Sequence, residues 1–267
     1  MLLTFAGYLY GGPEAFRLYH EEIDLHNPSG LYSPKPEAAL FLPIIEDRYQ
    51  TENAMLQAVS KGDAKRALQY LAQYKGYTGE HRTGNPMRDR KNGYIVLNSL
   101  ARKAAKNGYV HPAHIHAMSD DFARRIEAAS TLGDLARLSE QMLFGYCSLV
   151  KKFSLRKFSP LIRNVINTID FNLHEPLSLA FLAGKFYANP SNLSNHFRRE
   201  KGMTLTNYIN TKRMERAASL LRSTGDYIQK IAEQCGFLDI NYFSHLFKRY
   251  YGLPPTKFRE ARRIMGN

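Results

Sequence analysis

The feature that most constrains this chain is a pattern written twice between Ser178 and Gly252. The first copy runs through Leu182, Ala183 and Leu193-Ser194-Asn195-His196-Phe197-Arg198-Arg199, and closes on Gly202. The second runs through Ile231, Ala232 and Phe243-Ser244-His245-Leu246-Phe247-Lys248-Arg249, and closes on Gly252. The alanines lie 49 residues apart, while the serines, Phe197 and Phe247, and the closing glycines lie 50 apart. The two copies therefore differ by one residue in the turn. Helical periodicity with a short turn inside each copy predicts two helix-turn-helix units.

Charge is concentrated in the same half. Residues 1–150 carry 17 Lys and Arg against 16 Asp and Glu, whereas residues 151–267 carry 20 against 8, so nearly all of the net +13 lies with the repeat. A basic surface can simply be a soluble one. Placed on a helix-turn-helix duplication, it becomes an electrostatic footprint for phosphates. The 267 residues leave room for two modest domains, each with its own core. Cys147 and Cys235 fall inside helical patterns without a CxxC partner, which argues against a disulfide and for a reducing compartment. No run approaches the roughly 18 apolar residues of a membrane span. Residues 1–10 lack a basic leader and a cleavage site, so the expected location is cytoplasmic.

Along the chain, residues 1–45 mix Gly and Pro with a short apolar run at 38–45, and predict one or two short strands or irregular packing segments. Helical spacing begins near Arg48, with Gly62-Asp63 between two short helices. Residues 75–86 read as a polar loop. Residues 88–106 then form an amphipathic helix stopped by Asn107-Gly108. Pro112 opens a short helix, and Ser119 reads as the N-cap of the next, with Asp120 and Asp121 in its first turn. A stripe of Leu135, Leu138, Met142, Tyr146 and Leu149 marks a last helix ending near Phe153. The fold expected is mainly α. A mostly helical regulatory or dimerisation domain occupies 1–153, with a short irregular or β start. A basic linker at 154–159 follows, and then a DNA-binding domain at 160–267.

Within that second half, Pro160 suits the first turn of a helix. Ser178 caps the first helix of the first unit, and Asn189 caps the second with Pro190 at its first position. A long helix over 205–222 separates the units. Asp226 is expected to cap 227–235, Gly236 to take a left-handed conformation, and Asp239 to cap 240–251. Pro254-Pro255 starts a final helix. Leu182, Leu193, Phe197, Ile231, Phe237, Phe243 and Phe247 are core positions. The exposed faces present Ser191, Asn192, Ser194, Asn195 and Arg198, then Asn241, Tyr242, His245, Lys248 and Arg249. Asn and His can bond base edges, and Arg and Lys near a helix end can reach phosphates; each of these side chains could equally be solvated. Ser194 and Ser244 also suit packing or capping.

Arg213, Ala217, Leu220-Leu221, Ile231-Ala232, Gly236-Phe237, Asp239, Tyr242-Phe243-Ser244, Phe247-Lys248, Gly252 and Pro254-Pro255 resemble the AraC/XylS transcriptional regulators. The resemblance covers roughly residues 160–263. It implies a seven-helix domain in which a linker helix holds two helix-turn-helix units, each placing a recognition helix in one of two successive major grooves, about 34 Å apart. By position it implies base reading by Ser191, Ser194, Asn195, Asn241 and His245. Phosphate contacts would fall to Asn192, Arg198, Arg199, Tyr242, Lys248 and Arg249. The implied partners are double-stranded DNA and RNA polymerase, with a homodimer as a further expectation and no membrane. The implied role is a bacterial transcription regulator, in keyword an activator; no small-molecule effector is legible. Two departures stand out. Tyr187-Ala188 replaces the Gly236-Phe237 of the second turn, so Asn189 is expected to supply the unusual backbone geometry. His245 stands where the family often has Arg, so the base read there does not transfer.

Many members carry a β-barrel ligand domain ahead of this half; here 1–45 is too short for one and 48–153 is helical. The middle region, around Arg88-Asp89-Arg90-Lys91-Asn92, is similar to a helical segment of some Gram-positive regulators. His111, His114 and His116 do not make a metal set, because the closest pair is two residues apart and points to different helix faces. Neither Glu21-Glu22 with Asp24 nor any other group forms a catalytic constellation, so no enzyme activity and no cofactor are expected. The alternative role is a protein-interaction or dimerisation module in the N-terminal half, with the basic domain as an accessory DNA tether.

Overall fold

The structure is a computed structural model that describes residues 38–75 and 83–265. Among the described residues the chain forms twelve helices and no strand. The strands expected near the start fall mostly on 1–37, outside the described residues. The part at 38–45 is a correction: it belongs to a long helix, α1 (Ala38–Lys61), which carries Pro43 inside it. A short apolar run does not by itself distinguish strand from helix, and the Ala-Ala-Leu start favours the helix.

Two compact units emerge from the fold. The smaller contains α1 up to Met55 and the part of α2 (Ala64–Lys75) from Gln69 onward. Within it Met55 and Leu71 are buried, and the Tyr74 hydroxyl donates to Glu52 Oε2 at 2.9 Å. Burial, followed by that carboxylate, pushes the phenol up to about 12.

In the larger unit, α3 (Pro86–Asn107), α4 (Pro112–Ala128) and α5 (Leu132–Phe153) pack mutually into a three-helix layer. Its core includes Tyr94, Leu97, Ile115, Phe122, Ile126, Leu135 and Met142. One polar network crosses it: Tyr146 Oη donates to Asn98 Oδ1 at 2.7 Å, and Asn98 Nδ2 donates to the Ser119 carbonyl at 3.0 Å. Ser119 is therefore a buried mid-helix residue and not an N-cap, which corrects the expectation. The cap of α4 is His111, whose Nδ1 accepts from the Ala113 amide at 3.2 Å. Asp120 and Asp121 lie in mid-helix and meet His116 at 3.3 Å and Arg125 at 3.5 Å. The helix stop after Asn107 also differs in detail. Gly108 keeps φ −77°, and the left-handed residue is Tyr109 at φ 61°. Gly108 is there for space: a Cβ would lie 2.8 Å from the Ser60 carbonyl oxygen.

Seven helices complete the unit: α6 (Pro160–Phe171), α7 (Leu179–Lys185), α8 (Pro190–Lys201), α9 (Leu205–Ser223), α10 (Ile228–Gln234), α11 (Ile240–Tyr251) and α12 (Pro255–Met265). They enclose two separate apolar cores. The first gathers Ile162, Val165, Ile169, Leu182, Leu193, Phe197, Tyr208 and Ile209. The second gathers Met214, Ala217, Leu221, Ile231, Phe237, Phe243 and Phe247, with Phe258 of α12 stacked edge-on against Phe247. The boundary falls inside α9, between Ile209 and Met214, so one helix serves both lobes. Each buried Phe contributes about 1.5–3 kcal/mol by leaving water. Asp226 does not cap α10, contrary to expectation. The helix begins at Ile228 without a side-chain cap, and Asp226 holds Lys230 at 2.9 Å instead.

Candidate nucleic-acid interface

The two candidate reading helices, α8 and α11, are built alike. Asn189 Oδ1 accepts from the amides of Ser191 (3.0 Å) and Asn192 (3.2 Å). Asp239 Oδ1 accepts from those of Asn241 (2.7 Å) and Tyr242 (3.1 Å). Each cap satisfies first-turn amides that have no partner within the helix. At the other end Gly202 and Gly252 take left-handed φ values of 78° and 76°, and their amides return to Arg198 and Lys248. Both helices are therefore fixed at 12 residues with the same start and stop.

Leu193 and Phe197 anchor α8, and Phe243 and Phe247 anchor α11; this i, i+4 pair turns the remaining face outward. Ser191, Asn192, Asn195, Arg198 and Arg199 are exposed on the first helix, and Asn241, Tyr242, His245, Lys248 and Arg249 on the second. Ser194 and its counterpart Ser244 are half-buried, nearer the core than the other candidates. Among the described residues no carboxylate pairs with Arg198, Arg199, Lys248 or Arg249; Arg199 Nη2 lies 3.5 Å from His196 Nδ1, and the charge of all four is left for an external anion to balance. The face of each helix thus offers neutral donors and acceptors near its start and positive charge towards its end.

The turns before these helices show why the repeat differs between copies. Ala188 N donates to Ala183 O, and Phe237 N to Ala232 O, both at 2.9 Å, so the turns share one geometry. In the second, Gly236 takes φ 79°; in the first, Tyr187 takes φ 53°. Asn189 has φ −70° and acts only as a cap, so the expectation that it would supply the unusual backbone is corrected. Space explains the exchange. A Cβ on Gly236 would lie 2.4 Å from the Leu173 carbonyl oxygen and 2.6 Å from Arg213 Nη2. Tyr187 is fully exposed, with its side chain in solvent.

Sequence reasoning missed two supporting features. Tyr208 Oη donates to Asp170 Oδ1 at 2.9 Å, tying α9 to α6, while burial pushes that carboxyl up. Arg213 spans the seam between the lobes, donating to the carbonyls of Leu173 (3.1 Å) and Glu175 (2.7 Å). Arg213 stood in the family pattern, yet nothing in its local sequence named its partners.

Residues 182–261 match the family described as a helix-turn-helix domain. The chain is 30% identical over 147 residues to the HTH-type transcriptional activator RhaS of Escherichia fergusonii, covering 52% of each. It is 24% identical over 254 residues to an uncharacterized HTH-type transcriptional regulator, YfiF, of Bacillus subtilis, covering 95% of this chain and 73% of the relative. Among solved structures it is similar to the C-terminal domain of AraT, a response regulator from Geobacillus stearothermophilus. There the identity is 33%, over 40% of this chain and 88% of that one, with a TM-score of 0.39. The chain spans about half the length of the first curated relatives it matches.

Proposed function

The C-terminal half of the chain is a double helix-turn-helix domain of the AraC/XylS family, and from that premise we propose that the protein is a sequence-specific, DNA-binding transcription regulator. What supports this most is the matched pair α8 and α11, equally capped and equally ended, each exposing amide side chains and cations that no carboxylate among the described residues neutralises. Base reading falls to Ser191, Ser194, Asn195, Asn241 and His245. Phosphates are met by Asn192, Arg198, Arg199, Tyr242, Lys248 and Arg249. Affinity comes mainly from phosphate neutralisation and specificity from the few base contacts.

In this proposal residues 1–153 form a regulatory half, 154–159 the connection and 160–267 the DNA-binding half. RNA polymerase and a second copy of the chain are the protein partners, in the cytoplasm, and no catalytic step is assigned. A loose tether fits less well. Leu155 N donates to Tyr109 O at 3.2 Å, Arg163 lies 4.3 Å over the Tyr109 ring, and His111 stacks on Phe171 at 4.0 Å, so α6 is held directly against the start of α4.

The test is selection of bound duplexes from a random pool, followed by a salt titration on the selected sequence. Neutralising about six phosphates gives a log affinity–log salt slope near −5. A flat titration, or a pool that emerges without a consensus, would remove the proposal.

A further inference from the structure

We infer that Arg213 is a positioning residue that fixes the separation of the two reading helices, and hence the spacing of half-sites the protein accepts; this rests on the proposed DNA-reading role. The lobes have separate cores and share only α9, so a single helix would leave them free to rock about its middle. Arg213 sits at that point. Its guanidinium donates to two carbonyls of the α6–α7 connection, Leu173 and Glu175, both on the first lobe. Its Cζ lies 5.3 Å from the ring centroid of Phe237, a core residue of the second.

Gly236 completes the arrangement. Its missing Cβ admits both the Leu173 carbonyl and the guanidinium, so the second unit's turn approaches the first lobe more closely than any other residue would permit. A planar fork suits this geometry, since it presents two donors in one plane and a face to the ring. An open groove of about 370 Å³ runs beside it, bounded by Leu179, Ile209, Arg213, Phe237 and Tyr242. The groove leaves little apolar packing to hold the lobes together there, and the polar latch takes that role. Because Tyr242 lies in the first turn of α11 with its ring 6.1 Å from that of Phe237, displacement of Phe237 moves the reading helix with it.

Rigidly linked modules bind a composite site with a high effective concentration at one spacing, and loosening the link lowers that peak and broadens it. The experiment uses the full chain, the duplex selected by the wild type, versions with the spacer changed by one or two base pairs, and a duplex keeping only one half-site. Arg213→Lys keeps the charge but loses the fork, and Arg213→Ala removes both. Both variants are expected to lose about tenfold on the selected spacing, to lose far less on the shifted spacings, and to match wild type on the single half-site. An unchanged spacing profile, or equal loss on the half-site, overturns the latch.

A readout without DNA separates this from failure of the DNA-reading role. Spin labels at Arg199→Cys and Arg249→Cys, with Cys147 and Cys235 buried, report the distance between α8 and α11. A narrow distribution that broadens in Arg213→Lys supports the latch even if no consensus duplex is found. An identical distribution in both proteins refutes it. Should Arg213→Ala fail to fold, the milder Lys variant decides.

Discussion

Tyr187 holds φ 53° at the turn before α8, with its side chain entirely in solvent. A bulky side chain in the left-handed region is strained by about 1–2 kcal/mol, and this one is fully exposed, so no burial offsets the strain. Tyr187→Gly is expected to stabilise the chain by about 1 kcal/mol, less the backbone entropy that glycine loses on folding. Urea unfolding of the variant checks it, and a loss of stability would show that the ring has a contact of its own. For base reading, Asn195→Ala should cost about 1–3 kcal/mol on the selected duplex and little on random DNA. Lys248→Ala should weaken both alike, since a phosphate contact carries no sequence information. Competition binding with the two duplexes tells these apart. The candidate face was legible at this scale because Leu193, Phe197, Phe243 and Phe247 fix which side is buried. Gly236 was legible too. Tyr187 was legible only as a departure opposite Gly236: the pattern marked that turn as unusual, but residue type pointed to Asn189 and not to the tyrosine as the residue that takes the left-handed backbone.

For single elements, the boundaries depend on caps. Asp239 holds two amides of α11, and Asp239→Ala should cost about 1 kcal/mol, read as a fall in the urea midpoint with an unchanged slope. Asn189→Ala on α8 should behave in the same way, and a neutral result for both would show that water satisfies these ends as well. The elements misjudged from sequence have a common cause. Ser119, beside two aspartates, has the form of a helix start. Its spacing with Ile115, Phe122 and Ile126 instead places it on the buried stripe of α4, where Asn98 satisfies it. Asp226 likewise has the residue type of a cap, but Lys230 one turn later claims its carboxylate. In both cases the side chain had two possible partners, and tertiary or helical neighbours chose.

In the molecule as a whole, His111 and His114 lie where the three-helix layer meets α6. His111 stacks on Phe171, and His114 stacks on Phe153, each at 4.0 Å. Burial holds both imidazoles below their usual 6.5. His111 is also lowered by His114, and His114 by Lys152, while Asp170 pulls both the other way. Because the folded values are depressed, the unfolded chain takes up protons first as pH falls below about 6.5. The stability these neutral rings confer is therefore present above that pH and lost as pH drops through the folded values. A thermal-midpoint series from about pH 7.5 to about pH 5 should fall, and fall less in His111→Gln/His114→Gln. Equal slopes in the two proteins would assign the acid sensitivity elsewhere.

The sequence alone determined the duplication, the mainly helical class, the two capped helices and their outward faces, because periodicity, caps and closing glycines are local and each copy repeats them. Only the tertiary structure decided which residues bridge separate elements: Asn98 with Tyr146 and Ser119, Tyr208 with Asp170, and Arg213 with Leu173, Glu175 and Phe237. These partners stand from 21 to 48 residues apart in the chain. A side chain's own neighbours in sequence carry no record of a bond closed at that range, so packing of the helices had to select it.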